Sequence, residues 1–363
     1  MSHLPLRILG LMSGTSLDGL DLCLALFGKD GSGRWTFDIL AAETAPYSPA
    51  WAQKLQQAHT LGALDFVALH REYGRYLGEQ AASFLRRKNL RADYVASHGH
   101  TIFHQPQRGV TFQLGEGAAL AAAADMPVVS DFRSLDVALG GQGAPLVPVG
   151  DRLLFGGYDG CLNLGGFANI SFEQGEQRVA FDVCPCNVAL NALSRSLGAP
   201  YDRDGALAAQ GSVSAALLSA LNALDFYAQR GAKSLGREWV EEVFAKKMAE
   251  HSVSAHDGLR TVCEHIAVQV ARAARGGTLL VTGGGAHNAF LVQRIADVSS
   301  CRIIIPDAQV VNFKEALIFA LLGALYAGNE INTLASATGA TRSSIGGSLV
   351  NVTPKCYQRD KSH

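Results

Sequence analysis

Asp182 closes the run Arg178 to Val183, and a carboxylate at the end of a strand can take a proton from water or from an acceptor hydroxyl. A cap for the helix that follows is the plainer use of Asp182, although Asn187 could fill that role itself. Three glycine-bearing segments carry residue types suited to gripping phosphate. In Gly10-Leu-Met-Ser-Gly-Thr-Ser-Leu-Asp-Gly-Leu-Asp21, glycines leave backbone N–H groups uncovered, Ser13, Thr15 and Ser16 add hydroxyl donors, and Asp18 or Asp21 could hold Mg2+ through water. Gly165-Gly166 and Gly283-Gly284-Gly285 are the other two. The latter is not a Walker loop, because no Gly-Lys-Ser/Thr follows, and its spacing is not that of a dinucleotide fingerprint.

The middle of the chain holds groups suited to a polyhydroxylated ligand. Ser97-His98-Gly99-His100-Thr101 follows the apolar strand Tyr94 to Ala96, and Ser130-Asp-Phe-Arg133 follows Pro127 to Val129, so polar side chains are expected at strand ends. Gln142, in Gly140-Gly-Gln-Gly-Ala-Pro145, offers both a donor and an acceptor. His98, His100 and His104 lack metal-ligand spacing and read first as hydrogen-bonded structural histidines. Cys184-Pro-Cys186 has no further ligands at zinc spacing and reads as two packed thiols, with a redox switch as the alternative. Tyr201 to Gly205 and Lys233 to Glu238 read as charged, glycine-bearing loops.

The elements that must position these groups repeat. Leu6 to Leu11 and Leu20 to Phe27 read as strands joined across Ser13 to Gly19, with a third strand from Trp35 to Thr44 and a helix from Trp51 to His59. Gly160 to Leu164, Phe167 to Phe172 and Arg178 to Val183 repeat that layout, with a helix from Asn187 to Leu197. Thr278 to Thr282 is a buried-type strand leading into the triple glycine, followed by a helix from Ala289 to Ile295. A duplicated meander with helices implies two similar α/β domains facing each other across a ligand cleft, expected at 1–128 and 129–363, with the last helix or tail able to pack back on the first.

Composition narrows the function classes. The 363 residues carry a formal net charge of -1, which leaves no electrostatic footprint for nucleic acid or an anionic membrane, so a small-molecule substrate is expected. Seven cysteines fit a reducing compartment better than a disulfide framework. Met1 to Met12 shows no signal-peptide pattern and the apolar stretch Ala316 to Ala327 is short for a bilayer span, so a cytoplasmic location is expected.

Taken together these segments resemble, nearly end to end, the 1,6-anhydro-N-acetylmuramic acid kinases of bacterial cell-wall recycling. The resemblance rests on Gly10 to Gly19, Ser97-His-Gly99 with Thr101, Asp131-Phe-Arg133, Gly140 to Pro145, Asn163-Leu-Gly-Gly166 with Asn169, and Phe181-Asp182. It continues through Asp202 to Gly205, Lys233-Ser234 with Gly236-Arg-Glu238, Gly283 to Gly285 with Asn288, and Thr338-Gly-Ala340.

The resemblance implies a duplicated actin-like ATPase (RNase H-like) fold of the actin, chaperone ATPase and sugar kinase superfamily. It implies an enzyme that uses ATP, Mg2+ and water to open the anhydro bridge and phosphorylate O6, giving N-acetylmuramic acid 6-phosphate. It implies Asp182 as the catalytic base. It also implies Gly14, Thr15, Ser16, Leu17, Asp18, Gly19, Leu20 and Asp21 as the ATP phosphate segment. Asn163, Gly165, Gly166, Gly283, Gly284, Gly285, Asn288 and Glu315 would stand near the nucleotide, and Ser97, His98, His100, Arg133 and Gln142 near the sugar. A homodimer is implied as well. The chain departs from the family pattern at Cys184 and Cys186, where glycines are usual, and at His100, where glutamine is usual. Two other readings stand beside this one: a kinase of the same superfamily acting on a different sugar, and an ATP-binding sensor without turnover.

Overall fold

A computed structural model describes residues 5–14, 17–229 and 233–352. The chain divides into two compact units, Met1–Leu154 with Phe313–His363, and Phe155–Asn312. This division differs from the expected boundary after residue 128, because the strand at Val128–Ser130 and the C-terminal strand Ser348–Val350 both belong to the first sheet.

In the first unit, β1 (Leu6–Ser13), β2 (Gly19–Lys29) and β3 (Trp35–Pro46) form the antiparallel meander read from the sequence. β4 (Tyr94–Gln105) runs parallel to β1, and β6 (Val128–Ser130) runs parallel to β4. β5 (Val110–Leu114) pairs with the second half of β4, and β12 (Ser348–Val350) with β6. The strand expected over Tyr94 to Ala96 is thus twelve residues long and runs through the Ser97 to Thr101 motif, since β5 supplies hydrogen bonds that the local sequence does not reveal. Gly99 at φ +73 marks the irregularity, where the register on β1 shifts between Leu11↔Ser97 and Ser13↔His100.

The helix Ala308–Ala327 has 20 residues, more than the apolar stretch alone suggests, and by length and composition it could cross a membrane. Its most apolar window is instead 72% buried inside the protein, as a core helix. Two glycines let it lie close to the sheet. A Cβ on Gly10 of β1 would fall 1.9 Å from the Ala316 carbonyl oxygen, and one on Gly323 would fall 2.6 Å from Ala96 Cβ.

The second unit repeats the scheme. β7 (Gly160–Leu164), β8 (Phe167–Gln174) and β9 (Gln177–Pro185) form an antiparallel meander. β10 (Thr278–Thr282) lies parallel to β7, and β11 (Arg302–Ile304) parallel to β10. Helices Asn187–Ser196, Ala255–Ala273 and Ala289–Ser299 bury one face against the sheet, with Leu162, Ile170, Leu190, Val262, Ile266 and Leu291 in one apolar cluster. Side chains of Ser254 and Asn288 cap the second and third of these helices. The duplication of an α/β unit inferred from the sequence is therefore present: each sheet has an antiparallel meander whose first strand pairs in parallel with a later strand.

Candidate active site

The register of the second sheet assembles a polar row that no single segment shows. Thr282 of β10 pairs with Asn163 of β7, Asn163 with Asn169 of β8, and Asn169 with Asp182 of β9, so four polar side chains lie side by side across four strands. The pairing of β8 with β9 slips between Ala168 and Asn169, a bulge that re-aims the strand beside Asp182. The Asp182 carboxylate accepts a hydrogen bond from the Leu235 N–H at 2.8 Å, and the Asp182 N–H donates to the Lys233 carbonyl at 2.9 Å. Burial raises the proton affinity of Asp182 above that of an ordinary carboxylate, and the Leu235 hydrogen bond opposes it in part. Asp182 is therefore not spent on capping a helix.

Around it, the Gly165 and Gly166 carbonyls accept the first N–H groups of helix Asn187–Ser196, and Asn187 Nδ2 donates to the Leu164 carbonyl at 3.0 Å. A Cβ on Gly166 would meet nothing within 4 Å and one on Gly284 only Asn187 Nδ2 at 3.6 Å, so both backbones stay open to a ligand. Gly283 and Gly285 differ, because a Cβ on either would run into Leu164 within 3.0 Å. Asn288 is 8% exposed, and its Oδ1 caps the next helix through the Leu291 N–H. Cys184 and Cys186 are both 0% exposed in the core of this unit, where burial pushes the Cys186 thiol up to about 12 and Cys184 well above its usual value. The two side chains that replace the family's glycines are thus absorbed by packing.

In the first unit the turn after β1 carries Gly14, and Leu17 with φ +58 leads into Asp18. Thr15 and Ser16 lie outside the described residues. Ser13 was expected to offer its hydroxyl to phosphate. It instead accepts from Tyr47 OH at 2.7 Å and lies 2.9 Å from His100 Nδ1, with Tyr73 OH 2.6 Å beyond Tyr47. Sequence reading missed this chain because Tyr47 and Tyr73 stand 34 and 60 positions from Ser13, with no motif of their own. Gly19 and Leu20 begin β2, where the Ala45 carbonyl and Thr44 fill the space a Cβ on Gly19 would need. Asp21 accepts from Thr44 Oγ1 at 2.5 Å, and burial, then Asp18, raise its proton affinity.

Glu315 is an exposed residue of the helix Ala308–Ala327, and its carboxyl is raised first by desolvation and then by Asp21, with Arg133 and Lys314 opposing. Arg133 donates to His98 Nε2 and to the Gly143 carbonyl. Asp136, 1% exposed, holds the same loop by accepting from the Gly143 N–H at 2.7 Å and from Thr338 Oγ1 at 2.7 Å. Sequence reading passed over Asp136, although its place nine residues before Pro145 in a glycine-rich stretch was a usable signal. Ser97, 1% exposed, accepts from the Gly99 N–H, while the Gln142 side chain is exposed.

The match that decides the family covers nearly everything just described: the family model for anhydro-N-acetylmuramic acid kinase fits residues 6–352. The chain belongs to the anhydro-N-acetylmuramic acid kinase family. It is 38% identical to the anhydro-N-acetylmuramic acid kinase of Pseudomonas putida, over 86% of this chain and 91% of that one. It is 35% identical to that of Vibrio cholerae, over 92% and 95%, and 39% identical to that of Rhizorhabdus wittichii, over 79% and 82%. Within this chain, the structure groups Asp182 with Asn163, Asn169 and Thr282, and Arg133 with His98, Glu315 and the Gln142 loop.

Proposed function

We propose that this protein is an ATP-dependent kinase that opens the 1,6-anhydro bridge of 1,6-anhydro-N-acetylmuramic acid and phosphorylates O6, with Asp182 as the base. The observation that carries this reading is the half-buried Asp182 carboxylate at the end of the polar row, held by one backbone N–H and raised in proton affinity. A base with proton affinity lifted toward the working pH transfers protons more effectively than a free aspartate. Asp182 takes a proton from water as the water oxygen bonds to the anomeric carbon. The C1–O6 bond breaks, its electron pair stays on O6, and O6 attacks the γ-phosphorus while the bond to the ADP oxygen breaks. The products are the sugar 6-phosphate with a new anomeric hydroxyl, ADP and the proton, which Asp182 returns to solvent.

In this reading the Gly14 to Asp21 segment, with Thr15 and Ser16, serves the nucleotide, as do Glu315, Asn163, Gly165, Gly166, Gly283 to Gly285 and Asn288. Ser97, His98, His100, Arg133 and Gln142 serve the sugar. No group of three or more His, Cys, Asp or Glu side chains converges on a metal position among the described residues. Mg2+ keeps waters and takes one or two carboxylates beside the phosphates, so Asp18 or Asp21 would hold it here through water. It would supply neutralisation of phosphate charge. A homodimer and a cytoplasmic location belong to the same reading.

Incubation with ATP and 1,6-anhydro-N-acetylmuramic acid, followed by mass analysis of the sugar, tests the proposal. The expected product is heavier than the substrate by one phosphate and one water. Turnover of a different sugar with no water gained would replace this reading with simple phosphoryl transfer.

A further inference from the structure

The second unit contains a cavity of about 240 Å³ that the proposed reaction does not use. Its walls include Phe181 and Tyr227 as aromatic surface, Gln229 and Gln269 as amides, and Lys233 and Arg272 as cations; no carboxylate is among its described lining residues. Phe181 pairs with Ile170 of the apolar cluster while Asp182 pairs with Asn169, so by strand alternation the cavity lies on the face of β9 opposite the Asp182 carboxylate. One wall is preset. His265 Nδ1 stands 2.7 Å from Asn222 Oδ1, His265 Nε2 stands 2.8 Å from Tyr227 OH, and Gln269 Nε2 donates to the same Asn222 oxygen at 2.7 Å.

The cavity is joined to Asp182 by a short strap. Lys233 Nζ caps the Phe226 and Gln229 carbonyls at 3.2 and 3.4 Å and lies 4.5 Å from the centre of the Phe226 ring. The Lys233 carbonyl holds the Asp182 N–H, and two residues later the Leu235 N–H holds the carboxylate itself. Lys233 thus has its ammonium at the cavity wall and its carbonyl on the Asp182 N–H, two residues from the Leu235 N–H that holds the carboxylate.

We propose that this cavity is an effector site for a small organic anion, a carboxylate or phosphate bearing an apolar ring, coupled to Asp182 through the strap 233–235. Two cations without a carboxylate favour an anion, the amides orient it, and the Phe181 and Tyr227 rings take its apolar part. The volume equals that of about eight waters, enough for a ligand of monosaccharide size. The bound anion draws Lys233 and Arg272 together and tightens the strap. The proposal goes beyond the reaction above, and its test needs neither sugar nor ATP.

Phenyl phosphate and benzoate are the probes, titrated by calorimetry into the wild type and into Arg272→Glu, with amide hydrogen exchange followed at Asp182 and Leu235. Arg272 is exposed and outside the reacting groups, so the variant should keep the wild-type melting temperature. The expected result is saturable binding of one or both probes, weakened about tenfold or more in Arg272→Glu, with slower exchange at Asp182 and Leu235 in the bound wild type. Binding of phenyl phosphate alone assigns a phosphate ligand, and of benzoate alone a carboxylate. No saturable binding below about 10 mM, equal binding to the variant, or binding without change in exchange would each overturn the proposal.

Discussion

Arg133 is held by a histidine that must stay neutral: its terminal nitrogen lies 2.8 Å and its Nε 3.1 Å from His98 Nε2. His98 Nδ1 faces the Gly99 carbonyl at 3.0 Å and so carries the proton, which leaves Nε2 as the acceptor. Burial first, and Arg133 second, push His98 well below the usual histidine value. A protonated His98 would place two cations in contact in a dry setting, so the pair works only with His98 neutral.

Arg133→Lys should therefore cost more than a change of cation suggests. A lysine cannot reach His98 and the Gly143 carbonyl together, which removes about 1.5–3 kcal/mol of charge-assisted hydrogen bonding. We expect kcat/KM for the sugar to fall about 10- to 100-fold with the KM for ATP little changed. Steady-state kinetics with each substrate varied in turn decide it, and an equal loss on both would place Arg133 elsewhere in the mechanism.

The pH dependence of turnover follows from Asp182. Its carboxyl is raised, so the acid limb of kcat against pH should lie above the free aspartate value of about 3.9. Activity is present above that limb and lost as pH falls through it. His98, being lowered, should add no limb near pH 6.5. Rates measured over seconds after a pH jump separate this effect from unfolding.

Stability should fall in acid for a different reason. His100, 4% exposed, is lowered by desolvation to about 4, and His265 to about 3 by desolvation with Arg272 adding. A histidine depressed in the fold binds more protons when unfolded. Its contribution is therefore complete above about pH 6.5 and is lost as pH drops from there toward the folded value. For His100 that is of order 3 kcal/mol. His100→Gln should flatten the decline in denaturant midpoint between pH 6.5 and 4.5, and an unchanged slope would contradict the assignment.

Much of the fold was legible because hydrophobic period and glycine punctuation agree. Both meanders, the Gly165-Gly166 hairpin turn and the helices after Trp51 and Asn187 fall where the pattern placed them, within a few residues. What escaped depended on distant partners. β4 runs on through His100 because β5 pairs with it, and Gly10 is glycine because a helix three hundred residues later passes over it. The bulge beside Asp182 and the strap from Lys233 to Leu235 arise from register and loop path, which carry no local signature. The Lys233 segment looked like a solvated loop for that reason.

Gly10→Ala should show the consequence for stability. The added methyl meets backbone, not a side chain able to swing away, and Gly323→Ala meets Ala96 Cβ. Overpacking of this kind costs about 1–3 kcal/mol or more, and Gly10→Ala should be the more severe. Denaturant unfolding of the two variants checks the order.

Cys184 and Cys186 should be silent. Both are fully buried thiols, raised far from the thiolate form, so native protein should resist alkylation at these positions and keep its activity through mild peroxide. Mass mapping of modified cysteines, with activity read in parallel, would reveal a redox role if oxidation at either residue tracked the loss.

The central claim is that one carboxylate couples opening of the anhydro bridge to phosphoryl transfer. The direct measurement is turnover of 1,6-anhydro-N-acetylmuramic acid with ATP in 18O-labelled water by wild type and Asp182→Asn, after ATP binding has been verified in both. The account predicts one 18O atom on the anomeric carbon of the sugar phosphate and none in its phosphoryl group. It also predicts that Asp182→Asn loses bridge opening and phosphorylation together, by about 10²-fold or more. Phosphorylated sugar from Asp182→Asn at near wild-type rate, or label in the phosphoryl group, would contradict it.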